Sequence, residues 1–331
     1  MIFEINYKSK FFIVFPLALY ALYNALGLNG FQLEHDGYVG VTKMLLESGG
    51  EADDFFAIVV RTYAFVESLG VPAALFSFFA YFFILAWLFS KRIVGWWYWV
   101  FIVVFTAPLM TYLGQPGKEL YLFAFLSIYS FLIISKKYLY GFLSFLFYVA
   151  FFRYYYGAVL LTHLLLRFFG GKSIFLVVIV AALSLILIGV NDDILVAIGD
   201  IQGRRDYAYN YSLVDVRSAF SNYFEGGDFF AVLGNYFYAF FRLNMPIFFD
   251  FDVKEIYLQI YVLCTFYVIY RGVLGRVYWS YLCISMLLVY PLFEPDLGSY
   301  LRHYSSLFPI FYLTIYEVSL LEKATSSYRL S

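Results

Sequence analysis

The chain has 331 residues, of which 63% are hydrophobic, 24% aromatic and 14% charged, where an ordinary soluble domain carries about 25% charged residues. With a mean hydropathy of +0.78, that much apolar surface excludes a soluble enzyme and a disordered chain, and a net charge of −1 argues against a nucleic-acid partner. What remains is an all-α, polytopic membrane protein whose first partner is lipid.

A membrane span takes about 20 apolar residues in helix, because lipid offers no partner to an open strand. In chain order, such runs are expected at 11–28, 72–90, 95–113, 119–134, 174–190, 256–270, 277–293 and 304–320, with a longer apolar stretch over 138–169. Short connections carry six basic pairs: Lys8/Lys10, Lys91/Arg92, Lys136/Lys137, Arg167/Lys172, Arg271/Arg276 and Lys323/Arg329. Lys and Arg favour the cytoplasmic side, so all six are placed there. Basic residues then flank 138–169 at both ends, which makes it a hairpin with Arg153 near its apex. The expected fold is a bundle of about ten membrane helices with both termini cytoplasmic.

Charge segregates well in this arrangement. The cytoplasmic side keeps twelve cations with only Glu4, Glu317 and Glu322 as acids, and the outer side is left strongly acidic. Two apolar stretches, 55–70 and 229–249, have acids at their flanks and ionisable residues within. They are expected to be helices lying on the outer interface or dipping back into it, although 229–249 is long enough to span. Residues 1–331 read as one integral membrane domain with larger outer loops at about 29–71 and 191–255. Cys264 and Cys283 sit in apolar runs and suggest neither a disulfide framework nor a metal site.

Polar groups gather at the outer ends of the spans, which points to a site at the outer membrane surface. Asp36, in Glu34-His35-Asp36-Gly37-Tyr38, offers a carboxylate that can act as a base or bind a sugar hydroxyl beside Tyr38, or it belongs to a solvated loop. Lys118-Glu119 opens a helix after a Gly-Pro turn, and a helix N-terminus with a cation favours phosphate; a simple turn fits equally well. In the hairpin, 16 residues separate Lys137 from Arg153, about 24 Å of helix. That leaves Arg153 roughly 6 Å inside the outer edge of a hydrocarbon core about 30 Å thick. It either snorkels outward or, with Tyr155 close by, faces an anionic headgroup. Arg204-Arg205 lie in the long outer stretch 191–228, where an Arg pair suits phosphate. Before the last span, Glu294-Pro295-Asp296 and Arg302-His303 put a carboxylate, a cation and an imidazole within ten positions. His303 can exchange protons near neutral pH, or Arg302-His303 is an interfacial anchor of the kind with which many spans begin.

Together these residues resemble the bacterial polysaccharide polymerases of the Wzy type, including the EpsG-like group. The resemblance spans most of the chain. It rests on the first span followed by Asp36-x-Tyr38, the helix-opening Lys118-Glu119, the Lys-Lys turn before an aromatic hairpin with Arg153 at its apex, the large outer loop, and Arg302 before the last span. EpsG-like chains tend to have Arg-Gln at the helix opening and His at the apex, where this chain has Lys118-Glu119 and Arg153.

The resemblance implies a multi-pass inner-membrane glycosyltransferase that joins repeat units carried on undecaprenyl diphosphate at the periplasmic face, as in O-antigen, capsule or exopolysaccharide synthesis. It implies Asp36, Glu119, Glu294, Arg302 and His303 as catalytic candidates. Lys118, Arg153, Arg204, Arg205, Tyr38 and Tyr155 would hold diphosphate or sugar. A flippase and a chain-length regulator would be its partners, and no metal or other cofactor is needed where Lys and Arg neutralise the diphosphate. Two alternatives share the composition. One is another lipid-linked-sugar transferase or ligase. The other is a transporter of the polysaccharide or its lipid carrier, which would open a cavity to both sides in turn.

Overall fold

The computed structural model describes residues 54–91, 93, 97–112, 117–169, 192–211, 220–294 and 296–328. Among them are twelve α-helices: α1 (Asp54–Ser68), α2 (Ala73–Ser90), α3 (Trp97–Tyr112), α4 (Glu119–Ile134), α5 (Tyr138–Phe151), α6 (Tyr156–Phe169), α7 (Asp192–Tyr211), α8 (Phe229–Asn244), α9 (Val253–Leu274), α10 (Tyr278–Phe293), α11 (Leu297–Ser306) and α12 (Phe308–Tyr328). The all-α expectation holds for this part of the chain. The described residues pack as two compact units, one drawn from within 1–157 and 305–331 and the other from within 158–304.

Among the described residues, two helical segments, Ala73–Ser90 and Glu255–Leu274, are long and apolar enough to cross a membrane; Leu297–Ser306 taken with Phe308–Thr325 passes as a third, broken span. The segments Glu119–Ile134, Tyr138–Phe151, Tyr156–Phe169 and Tyr278–Phe293 are shorter apolar helices. The expected spans at 11–28 and 174–190 lie outside the described residues. The last expected span, 304–320, is not one straight element, because the chain breaks at Leu307 between α11 and α12.

In the first unit, α12 is buried on nearly every side through Phe308, Ile310, Phe311, Tyr312, Leu313, Thr314 and Ile315, as befits a helix that is apolar all round. It packs on α2, α3 and α4. Phe311 stacks on Phe105 at 4.7 Å between ring centroids, and the Tyr312 hydroxyl donates to the Lys91 carbonyl at 3.1 Å. On α2, Ala73, Ser77, Tyr81, Leu85 and Leu88 form the buried stripe, while Phe79 and Phe83 on other faces are exposed. Lipid tails are as apolar as these side chains, so burial from lipid gives little gain; aromatic dispersion and interhelical hydrogen bonds do the holding.

In the second unit, α9 and α10 pair through Tyr261, Val262, Leu282, Cys283 and Met286, and α8 packs on α10. Asp228 caps α8 by accepting from the Ala231 N–H at 2.8 Å. Along α8, Ala231, Asn235, Ala239 and Arg242 are buried and Phe230, Phe237 and Phe241 are exposed. The result is a two-faced helix of 16 residues within the expected helical stretch 229–249.

Within the expected outer stretch 191–228 the chain forms the 20-residue helix α7, an element the sequence did not announce. Its inward stripe runs Leu195, Ile198, Gln202, Arg205, with the last two fully buried. The helical period is present, but half of it is carried by polar side chains, so hydropathy does not reveal it.

Three helix ends share one turn. After α1, α4 and α9 the chain closes with paired backbone bonds, Gly70 N to Glu67 O and Val71 N to Val66 O, Lys136 N to Ile133 O and Lys137 N to Leu132 O, and Arg276 N to Val273 O and Val277 N to Gly272 O. This turn needs a left-handed residue, for which glycine is usual. Gly70 fills it with φ +79°, but Lys136 (φ +60°) and Arg276 (φ +54°) fill the other two.

Candidate functional site

The helix α10 ends in a sequence that cannot finish its own hydrogen bonds. The Glu294 N–H donates to the Tyr290 carbonyl at 2.9 Å. The next carbonyl, that of Pro291, would accept from residue 295, which is a proline with no N–H to give. The chain turns extended at Glu294, with φ −82° and ψ 123°. It re-enters helix at α11, where the Asp296 carboxylate caps by accepting from the Ser299 N–H at 2.7 Å.

That break brings Glu294 and His303 together. The Glu294 Oε1 lies 2.5 Å from His303 Nδ1, and the two residues are only 1% and 6% exposed. A buried carboxylate is tolerable when a hydrogen-bonded partner compensates it, and His303 supplies one. The Tyr290 ring packs at 6.1 Å from the imidazole. The Tyr300 hydroxyl, one turn earlier on α11, donates to Asn244 Oδ1 at 2.8 Å, tying the end of α8 to this helix. Arg302 is half-buried, and its charge acts on Asp296. Burial raises the Asp296 carboxyl above its usual range; the Ser299 N–H and Arg302 oppose the rise, and Glu294 adds to it.

Arg205 does not occupy the place expected of a ligand-binding residue. It is 1% exposed. Its Nε donates to the Glu294 carbonyl at 3.1 Å, Nη1 donates to Asn222 Oδ1 at 3.2 Å, and Nη2 donates to the Pro291 carbonyl. Burial lowers the guanidinium to about 10, against the pull of Glu294 and Asp206, so it stays charged at neutral pH. Its donors are aimed at protein oxygens, which fits a structural role better than a diphosphate contact. Arg204 lies next to it on α7.

A second cluster forms within the first unit. The Tyr63 hydroxyl sits against Gly117, donating to its carbonyl and accepting from its N–H, both at 3.1 Å, and accepts from Ser77 Oγ at 3.2 Å. This fixes the turn before α4. Lys118 is the N-cap residue, half-buried, and Glu119 is the buried first residue of the helix. A side chain at 117 would meet Glu119 Oε2 at 2.9 Å, so glycine there leaves room for the carboxylate.

Across from α4, the break between α5 and α6 holds Arg153, whose Nη1 donates to the Tyr155 hydroxyl. Arg153 and Glu119 both act electrostatically on the buried Tyr148. The Tyr121 ring of α4 lies 5.6 Å from the Phe152 ring, next to Arg153 in the chain. Glu119, Arg153 and Tyr155 thus all lie close enough to Tyr148 for their charges to act on it.

No known protein family, curated protein or solved structure matches this chain. The site therefore has to be read from its own chemistry.

Asp36 and Tyr38 lie outside the described residues. Sequence reasoning did not single out Asn222, Asn244 or Tyr300. An Asn near a helix end gives no signal of its own, and the bond from Tyr300 to Asn244 joins positions 56 apart. Among the described residues no group of three His, Cys, Asp or Glu side chains comes together as a metal site.

Proposed function

We propose that this chain is a membrane glycosyltransferase that extends polysaccharide from lipid-linked repeat units at the outer face of the bacterial inner membrane. The observation that carries the reading is the buried Glu294–His303 pair beside Arg302, set at a break before the last helix of a chain with membrane-capable helices.

A carboxylate on Nδ1 holds the imidazole in the tautomer that leaves Nε2 as the basic atom. In the proposed reaction Nε2 takes the proton from an acceptor hydroxyl as its oxygen attacks the anomeric carbon of the donor sugar. The bond from that carbon to the diphosphate breaks, and the electron pair leaves with undecaprenyl diphosphate. Arg302 stabilises the charge on the departing diphosphate, for which a planar guanidinium is suited. Lys118 and Glu119 at the start of α4, and Arg153 between α5 and α6, are further groups able to hold phosphate or sugar.

The test is synthesis by the purified protein in liposomes from lipid-linked units extracted from the producing cells. Wild type should give products of two or more repeats. Arg302→Ala should lower the rate about a hundredfold, the effect of removing one charge-stabilising donor. Wild-type activity should fall as the medium is acidified and His303 takes up a proton, and His303→Gln should abolish that acid limb. Polymer made at the wild-type rate by both variants would sink the proposal. Release of carrier or polymer across the bilayer without new glycosidic bonds would instead favour the transporter.

A further inference from the structure

We propose that Arg205 is a positioning residue for the Glu294–His303 pair. Its guanidinium completes the end of α10 and so fixes the backbone from which the Glu294 side chain reaches His303.

The end of α10 has a vacancy in its backbone ladder. The last carbonyls of a helix need outside donors, and Pro295 ensures that the Pro291 carbonyl cannot find one four residues on. Arg205 supplies it through Nη2, and through Nε it also holds the Glu294 carbonyl at 3.1 Å. The carbonyl held by Arg205 and the carboxylate facing His303 thus belong to the same residue. A shift of about 1 Å in such a backbone is enough to spoil a reactive geometry.

The fork is itself held in place. Asn222 accepts from Nη1 at 3.2 Å. Asn222 is fixed in turn to α7, donating from Nδ2 to the Gln202 carbonyl and to Asp206 Oδ2, both at 2.9 Å, and from its N–H to Asp206 Oδ1 at 2.7 Å. The Phe220 ring lies 5.6 Å from the guanidinium. Asp206, Asn222 and Arg205 therefore form one polar brace running from α7 to the end of α10. The sequence shows only an Arg-Arg-Asp run in what reads as a loop.

The consequence for polymer synthesis rests on the function proposed above, but the geometry does not, and the two can be tested apart. The chain has three histidines, His35, His163 and His303. The protonation of His303 can be followed by nitrogen NMR of imidazole-labelled full-length protein in lipid nanodiscs, its signal assigned by its loss in His303→Gln. The groups placed to act on that ring are Glu294, Asp296, Arg302 and Arg205, the tyrosines 290, 300 and 304, and Asp206 behind Arg205.

The two possible roles of Arg205 move the midpoint in opposite directions. As a nearby positive charge alone, its removal would ease protonation of His303 and raise the midpoint. As the residue that positions Glu294, its removal lets the carboxylate drift from Nδ1, and the buried imidazolium loses its counter-ion. We expect Arg205→Gln to lower the midpoint by about one pH unit, the scale of a lost close charge partner. Asn222→Ala keeps the Arg205 charge but loosens its fork, and should lower the midpoint by less. Arg205→Lys keeps the charge without the fork and should restore only part of the loss.

A raised or unchanged midpoint in Arg205→Gln overturns the proposal. If that variant does not fold, Asn222→Ala decides alone: a lowered midpoint supports the brace, and a wild-type midpoint overturns it. A lowered midpoint together with no polymer from wild type would remove the function and leave the brace standing. Polymer from wild type with an unmoved midpoint would do the reverse.

Discussion

Asp296 shows how one residue serves two ends at this site. Its carboxylate caps α11, accepting from the Ser299 N–H, and it also lies close enough to Glu294 and Arg302 to feel both charges. Burial favours its protonated form, so the folded protein holds this proton more tightly than the unfolded chain does. The sign follows from linkage. The group's contribution to stability is full below the carboxyl's unfolded range and is lost as pH rises through the folded value. At neutral pH the ionised Asp296 is therefore a cost. Asp296→Asn keeps the cap, since Asn and Asp cap about equally, and removes the charge. It should raise the thermal midpoint modestly at pH 7, and the difference should close as the pH falls, read by a melting series in detergent. A variant that melts lower at pH 7 would mean that the pairing with Arg302 outweighs burial.

At the scale of elements, the connection from α7 to α8 depends on Asn235. This buried side chain accepts from the Tyr223 and Phe224 N–H groups at 3.1 and 2.9 Å and donates to the Phe224 carbonyl at 3.0 Å. Asn235→Ala would leave these backbone groups unmet, at a cost of about 2 kcal/mol. The lost stability should appear as faster proteolysis within 220–228 under conditions where the helical signal is unchanged.

The same region shows what a sequence can and cannot disclose. Apolar runs gave α2, α9 and the turns at Lys136 and Arg276, because lipid makes length and charge the governing variables. Glu294 and His303 were legible as neighbours in a cluster, but not as a pair, since their contact depends on the bend between two helices. The helix α7 escaped because its inward face ends in Gln202 and Arg205 rather than in apolar residues. The burial of Arg205 is hidden for the same reason: an Arg whose partners are the Glu294 and Pro291 carbonyls and the Asn222 side chain reads in sequence as an exposed one.

For the whole molecule, orientation is the property to measure. Reporter fusions at Ser90 and Ser135 are expected to read cytoplasmic, and those at Gly226 and Gly298 periplasmic, following the distribution of Lys and Arg. The left-handed turns add a sharper test. A side chain in that conformation costs about 1 kcal/mol, and glycine would relieve it, as Gly70 does in the first of the three turns. Lys136→Gly and Arg276→Gly should therefore leave the inserted protein as stable as wild type or more so. A lower melting temperature in either variant would show that the cations support the folded state. If they do not, the two side chains matter at an earlier moment, while the chain is being threaded into the bilayer. Each would then be a retention signal written into a turn, accepting backbone strain in the finished protein so that the nascent hairpin keeps its bend on the side where the ribosome stands.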